Sequence, residues 1–142
     1  MSPKPLLAAL AIPALLAAAA TPALAHHSFV AEFDPMKPKA IQGVVSKLEW
    51  TNPHARCYVD VKDPSGAVAN WEVELCSPNT LIRYGWKRDT LKPGQAVTVD
   101  GYLARDGHPL INAKTVRLAD GRTVNAGSSY QGGAQGRTTP GL

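Results

Sequence analysis

The sequence predicts an all-β protein, a five-stranded OB-like barrel with one short helix between the third and fourth strands. Short segments in which apolar and polar residues alternate recur along the chain, separated by turns rich in Pro, Gly, Asn and Asp. The spacing of apolar residues changes to a helical pattern once, after the third of these segments. A small β-sandwich is the alternative architecture, but a single helix in this position favours the barrel.

Residues 1–25 have the composition of a bacterial signal peptide. Lys4 precedes an apolar run over 6–20, and a small-x-small cleavage pattern ends at Ala25. The run is short and is interrupted by Pro13, and no later segment is apolar enough to span a membrane. We therefore expect cleavage after Ala25, localisation to the periplasm, and no membrane span after cleavage.

The segment from His26 to Lys39 is predicted to be an extended N-terminal arm. Pro35 and Pro38 disfavour a helix there, because proline lacks the backbone N–H group that a helix needs. Phe29 and Phe33 are its large apolar residues, so we expect them to dock on the domain.

The domain itself is predicted over residues 40–125. Its strands are expected at 41–50, 55–62, 68–75, 96–103 and 111–118, with a short extension around Val124. Ser77 is suited to cap the helix, Pro78 to its first position and Gly85 to its end. Residues 126–142 are rich in Gly, Ser, Gln and Thr, which predicts a disordered tail.

The alternation also predicts which strand residues are buried. Glu72 and Glu74 are expected to face solvent, and the expected core valines are Val59, Val61, Val73, Val97 and Val99. Cys57 falls on the core face and Cys76 on the polar face, which disfavours a disulfide in a regular hairpin, whereas an oxidising compartment favours one. A bulge would allow the bridge, so both states remain open. If the thiols are free, Cys76 near the helix start is expected to have a lowered pKa.

The charge balance and the residue patterns favour a binding function over catalysis. The chain has 15 Lys and Arg against 11 Asp and Glu, and these charges are scattered. Nothing resembles a polybasic tract, so nucleic acid is not an expected partner. No Ser-His-Asp or Cys-His set is evident. The sequence therefore favours a non-catalytic binding or accessory module for an unknown small molecule or envelope protein, although it does not exclude an enzyme.

Three residues are candidates for ligand binding. Trp50 and His54 flank a turn and would line a cleft at the barrel mouth; the alternative is a rigid corner in which Trp50 covers the core. Tyr58 is expected on the outer face of the second strand, where OB domains bind ligands and where its ring could stack on a sugar. Packing of Tyr58 against the N-terminal arm is the competing explanation.

The predicted mature N-terminus suggests copper binding as a second function. A free amine followed by His26 and His27 offers nitrogen ligands, which copper(II) accepts in tetragonal geometry. The amine and the His26 ring would chelate together, with His54 or His108 as a third ligand; alternatively, the amine binds with the amide and ring of His27. The competing explanation is a polar chain end with no metal.

Several motifs, spread from His26 to Gly127, resemble a family of small exported bacterial proteins known only as domain of unknown function 6152. They are His26-His27-Ser28-Phe29, Glu32-Phe33-Asp34-Pro35, Glu49-Trp50-Thr51-Asn52-Pro53-His54, Val73-Glu74-Leu75, Ser77-Pro78-Asn79, Gly85-Trp86 and Leu91-Lys92-Pro93-Gly94. The resemblance implies a secreted OB-like β-barrel and no particular activity.

Overall fold

A computed structural model describes residues 29–130, which form a mostly β structure with six strands and two short helical segments. The strands are β1 (Phe33–Glu49), β2 (Arg56–Lys62), β3 (Val68–Glu74), β4 (Ala96–Ala104), β5 (Leu110–Leu118) and β6 (Thr123–Asn125). Helix α1 (Pro78–Arg83) lies between β3 and β4, and a helical turn precedes β1 at 29–32. The β class and the position of the helix are therefore confirmed. The predicted signal peptide and residues 131–142 lie outside the described residues.

The strands form one sheet in the order β3-β2-β1-β4-β5-β6, with antiparallel neighbours. In addition, β3 pairs in parallel with β5, from Glu72 opposite Leu110 to Glu74 opposite Asn112. Five of the strands therefore pair in a closed circuit: β1 with β2, β2 with β3, β3 with β5, β5 with β4, and β4 with β1. The β3–β5 contact is limited to these three residue pairs, so the sheet is only partly closed.

Strand β1 is longer than the sequence predicted. It takes in the second half of the segment that we expected to be a separate arm, and it pairs with β4 from Phe33 opposite Ala104 to Val44 opposite Ala96. The register is irregular between Phe33 and Pro38, where two prolines cannot donate backbone hydrogen bonds. The extended conformation is confirmed from residue 33 onward. Residues 29–32 are helical instead, and the prolines do not prevent this because the turn ends before Pro35.

The core consists of one main cluster and a smaller aromatic one. Four of the five predicted core valines, Val59, Val73, Val97 and Val99, are buried, whereas Val61 is only partly buried and packs against the edge of the main cluster. Phe29, Phe33 and Ala104 form the second cluster, with Tyr102 and Leu110 against it. The docking of Phe29 and Phe33 on the domain is therefore confirmed.

The helix begins and ends where the sequence indicated. The Ser77 hydroxyl accepts a hydrogen bond from the Thr80 backbone N–H, and Pro78 occupies the first turn. Gly85 follows the helix with a φ of 88°, a conformation that side chains disfavour. Leu81 is fully buried and joins the short helix to the main core. This contact supplies the support that so short a helix requires.

Residues 126–130, which composition assigned to a tail, pack on the sheet. Ala126 is fully buried; its N–H donates to the Lys114 carbonyl, and its own carbonyl accepts from the Cys76 N–H. The Tyr130 ring stacks on Phe29 at a centroid distance of 5.3 Å. Backbone hydrogen bonds and one aromatic ring hold this segment in place. The Gly- and Ser-rich composition of the segment gives no sign of such contacts, so it predicted a tail without structure.

Both cysteines are free thiols. Burial raises the pKa of the Cys57 thiol to about 12 and that of the half-buried Cys76 thiol to about 11. The expected lowering of the Cys76 pKa is therefore wrong. A helix of six residues has too small a dipole to offset the loss of hydration around the sulfur.

Candidate functional site

A cavity of about 310 Å³ lies on the outer face of β2 and β3, beside the turn between β4 and β5. The alternation of the strands directs side chains of β2 and β3 away from the core and toward this space. The parallel β3–β5 pairing brings the turn alongside, and the Glu72 N–H donates to the Pro109 carbonyl over 2.9 Å. The lining residues are Tyr58, Asn70, Glu72, Asp106, His108, Pro109 and Leu110.

Each of the two cavity carboxylates is paired with a neighbouring side chain. The Arg56 Nε lies 2.7 Å from Glu72 Oε1, and the His108 Nδ1 lies 2.9 Å from Asp106 Oδ2. The backbone N–H of His108 donates to Asp106 and is the main reason that the pKa of that carboxyl lies below its usual value. Asp106 is therefore an ionised acceptor at neutral pH.

The Tyr58 ring is fixed on two sides. Its hydroxyl donates to Glu49 Oε2 over 3.3 Å, and the Lys47 ammonium lies 5.4 Å from the ring centroid. Burial, followed by the negative charges of Glu72 and Glu49, raises the pKa of the Tyr58 phenol. The ring is thus a neutral, positioned surface at the cavity wall.

A second polar cluster, of Glu74, Asn112 and His54, lies next to the cavity, and its Glu74 and Asn112 side chains are buried. Glu74 is only 8% exposed, which corrects the expectation that it faces solvent. Its Oε1 accepts from the Asn112 amide over 2.9 Å and lies 3.4 Å from the His54 Nδ1. Burial raises the pKa of Glu74, with a smaller contribution from Glu32 and partial compensation by His54, Asn112 and Arg56. The Oδ1 of Asn112, itself 2% exposed, has no hydrogen-bond partner among the described residues.

Comparison with known proteins identifies the family. A family model described as "Family of unknown function (DUF6152)" matches residues 13–112. The chain belongs to this family. The match includes all the residues of the cavity and of the buried cluster. No curated protein and no solved structure matches the chain.

In this DUF6152 member the predicted site residues do not form one site. Tyr58 and His108 both line the cavity, whereas His54 contacts Glu74 on the neighbouring part of β3. Trp50 is partly buried and packs against the main core cluster. His26 and His27 lie outside the described residues.

Sequence reasoning did not identify the Glu74–Asn112 contact. It also missed a more open depression of about 460 Å³ over β1, β4 and β5. That depression has Lys39 and Lys114 at its sides, and both side chains are exposed. Neither feature had a local signal, because each depends on which strands become neighbours.

Two features are absent from residues 29–130. In that part of the chain, no group of three or more His, Cys, Asp and Glu side chains is arranged to hold a metal ion. Over the same residues, no helix has the length and apolar character needed to cross a membrane.

Proposed function

We propose that the protein is an exported, periplasmic OB-like binding module without catalytic activity, and that it holds a small ligand in the Tyr58 cavity. The observation that carries the proposal is the position of this cavity. It lies across β2 and β3 beside the turn between β4 and β5, which is the ligand-binding face of OB domains. The order of the strand pairings, with a helix between β3 and β4, supports the OB-like assignment.

The state of the carboxyl groups supports binding rather than catalysis. A general acid needs a raised pKa and access to the substrate. Glu74 has the raised pKa, but its side chain is buried and engaged by Asn112 and His54. Within the cavity, Glu72 is paired with Arg56, and Asp106 has a lowered pKa. These carboxylates are suited to accept hydrogen bonds from a ligand.

The proposal is tested on the full chain, expressed with its own N-terminal segment and purified from the periplasmic extract. A library of small polar fragments is screened by ¹H–¹⁵N NMR, and the same sample is assayed against ester, phosphate and glycoside substrates and redox dyes. We expect fragment-induced shifts at Tyr58, Asn70 and Leu110, and no turnover. Fragment shifts confined to other surfaces, or turnover abolished by Glu72→Gln, would contradict the proposal.

A second candidate function, copper(II) binding at the mature N-terminus, is favoured by the orientation of His54. Its Nδ1 lies 3.2 Å from the Leu75 carbonyl oxygen and 3.4 Å from Glu74 Oε1, and both of these atoms are acceptors. In the neutral tautomer that donates from Nδ1 to these acceptors, Nε2 keeps a lone pair, and the side chain is 39% exposed. A carboxylate that orients a histidine in this way is a common partner of metal ligands.

The position of the helical turn at 29–32 supports the same candidate. The charge of Glu32 contributes to the raised pKa of Glu74, so the Glu32 carboxyl lies near the residue that His54 contacts. His26 and His27 precede the turn in sequence, with only Ser28 between them and residue 29. In this candidate function, the amine and the His26 ring chelate copper(II), and His54 supplies the third nitrogen.

The copper candidate is tested by calorimetric titration and electron paramagnetic resonance of the exported protein. One extra N-terminal residue moves the amine away from His26 and is expected to weaken copper binding and change the spectrum. His54→Ala should remove one nitrogen from the spectrum, whereas the control His108→Ala should not. Identical affinity and spectra for the native and extended chains would refute binding at the N-terminus.

A further inference from the structure

The cavity combines a small apolar surface with several hydrogen-bond acceptors. Tyr58, Pro109 and Leu110 supply the apolar part of its wall, and Glu72 and Asp106 supply carboxylate oxygens. Each carboxylate has lone pairs beyond those that its present contacts use. An apolar wall with a few placed polar groups is typical of sites that orient a small molecule.

The charges around the cavity disfavour ionic ligands. An anion, such as a phosphate or a nucleic-acid backbone, would meet the carboxylates of Glu72 and Asp106. A cation would compete with Arg56 at Glu72, where the separation is already only 2.7 Å, and with the His108 ring at Asp106. Asp60, at the edge of the same face, accepts from the Asn70 amide over 2.7 Å. A neutral ligand with many hydroxyl groups can donate to these carboxylates without breaking the Arg56–Glu72 ion pair or the His108–Asp106 contact.

The volume and the ring position limit the size of the ligand. About 310 Å³ is at the lower end of the range for small-molecule pockets. The Lys47 ammonium lies over one face of the Tyr58 ring, so a ligand ring has to contact the opposite face or the edge. The cavity therefore suits a single ring of a longer chain better than a large rigid molecule.

We infer that the Tyr58 cavity binds a neutral carbohydrate, with one sugar ring against Tyr58 and sugar hydroxyls donating to Glu72 and Asp106. The inference rests on the proposed binding function and adds the chemical class of the ligand. Tyr58 supplies the contact with the C–H face of the sugar. The pairs Arg56–Glu72 and His108–Asp106 hold the acceptors in position.

The test uses the exported full chain and five trisaccharides. Maltotriose, cellotriose and N-acetylchitotriose are neutral, trigalacturonate is anionic, and the glucosamine trimer is cationic. We expect at least one neutral trisaccharide to shift the backbone amides of Tyr58, Glu72 and Leu110, with an affinity that changes little with salt. Stronger, salt-sensitive binding of a charged trimer at this cavity would overturn the inference.

Variants separate stacking from a loss of folding. Tyr58→Ala is expected to weaken the binding of the neutral trisaccharide by about tenfold or more, because the aromatic contact is lost. Tyr58→Phe keeps the ring and should bind within about twofold of the native chain, since the hydroxyl is engaged by Glu49. Tyr84→Ala, at an exposed tyrosine beyond the end of α1, is the matched control and should leave affinity unchanged. Equal weakening by Tyr58→Ala and Tyr84→Ala would refute the role of Tyr58.

Failure of this inference is distinguishable from failure of the proposed function. If polar fragments shift the cavity amides but no neutral trisaccharide does, the carbohydrate inference is wrong and the binding function stands. If neither fragments nor trisaccharides shift those amides, both are wrong.

Discussion

Replacing Asn112 by Asp places a second carboxyl group against Glu74 in the protein interior. In the native chain the Asn112 amide donates to Glu74 Oε1 over 2.9 Å, and both residues are buried. Two ionised carboxylates at that separation repel by about 6 kcal/mol at an effective dielectric constant of about 20. Holding a proton on the pair costs less than this repulsion, so the Asn112→Asp variant is expected to keep one shared proton at neutral pH.

The cost of that proton sets the size of the effect. An Asp side chain has a pKa of about 3.9 in the unfolded chain, so keeping it protonated in the folded protein at pH 7 costs about 4 kcal/mol. The pKa of the introduced carboxyl group is raised in the folded state. The variant therefore keeps its stability at a pH near the unfolded-state pKa of about 3.9 and loses it as the pH rises. Relative to the native chain, the loss is expected to grow by about 1.4 kcal/mol per pH unit.

The assay is urea denaturation in metal-free buffer at several pH values from about 4 to about 7. Asn70→Asp is the matched control, because the Asn70 amide donates to Asp60 over 2.7 Å at an exposed position. Solvent screens the Asp60–Asn70 pair, so we expect Asn70→Asp to lower the free energy of unfolding by less than about 1 kcal/mol at every pH. If Asn112→Asp loses the same stability at both ends of the pH range, or no more than the control, the buried Glu74 contact is refuted.

Three further predictions follow from the packing and from the sequence. Cys57 and Cys76 should both react with a thiol reagent in denatured, unreduced protein, and fewer than two modified thiols would show a disulfide. In the native protein near pH 8 both should react slowly, because burial raises their pKa values to about 12 and about 11. Phe29→Ala should lower the free energy of unfolding by about 3 kcal/mol, since the ring is buried, whereas Met36→Ala at an exposed residue should change it by less than about 0.5 kcal/mol; equal melting temperatures for the two variants would contradict this. The intact mass of the exported protein should correspond to a chain that begins at His26, and a mass that retains the first 25 residues would contradict the predicted cleavage.

Local patterns predicted the secondary structure well, because the signals lie within a few residues of one another. The β2–β3 hairpin follows the alternation, and the Gly66 N–H donates to the Asp63 carbonyl across the predicted turn, a hydrogen bond typical of β-turns. Ser77 and Gly85 bound α1 as predicted.

Alternation was misleading at Glu74, because it describes one strand and not what covers that strand. The residue is on the polar face, but β5 pairs alongside and places Asn112 against it. The two residues are separated by 38 positions in sequence. A pattern in the β3 segment therefore has no means of indicating that its last residue is buried.

The cavity was predictable only in part, for the same reason. Tyr58 was expected on the outer face of β2, and the structure places it there as a wall of the cavity. The other wall comes from His108 and its neighbours, whose position depends on the parallel β3–β5 pairing. The sequence thus suggested individual residues, whereas the combination required the tertiary structure.

The stacking of Tyr130 on Phe29 places the two ends of the described chain side by side, with ring centroids 5.3 Å apart. Adjacent ends make a domain suitable for circular permutation, because a short linker can join them without crossing the protein. New ends at the exposed turn between β2 and β3 would leave both core clusters intact. In such a chain, a short linker from Tyr130 to Phe29 would lie beside the aromatic cluster, and so would any cargo attached to it.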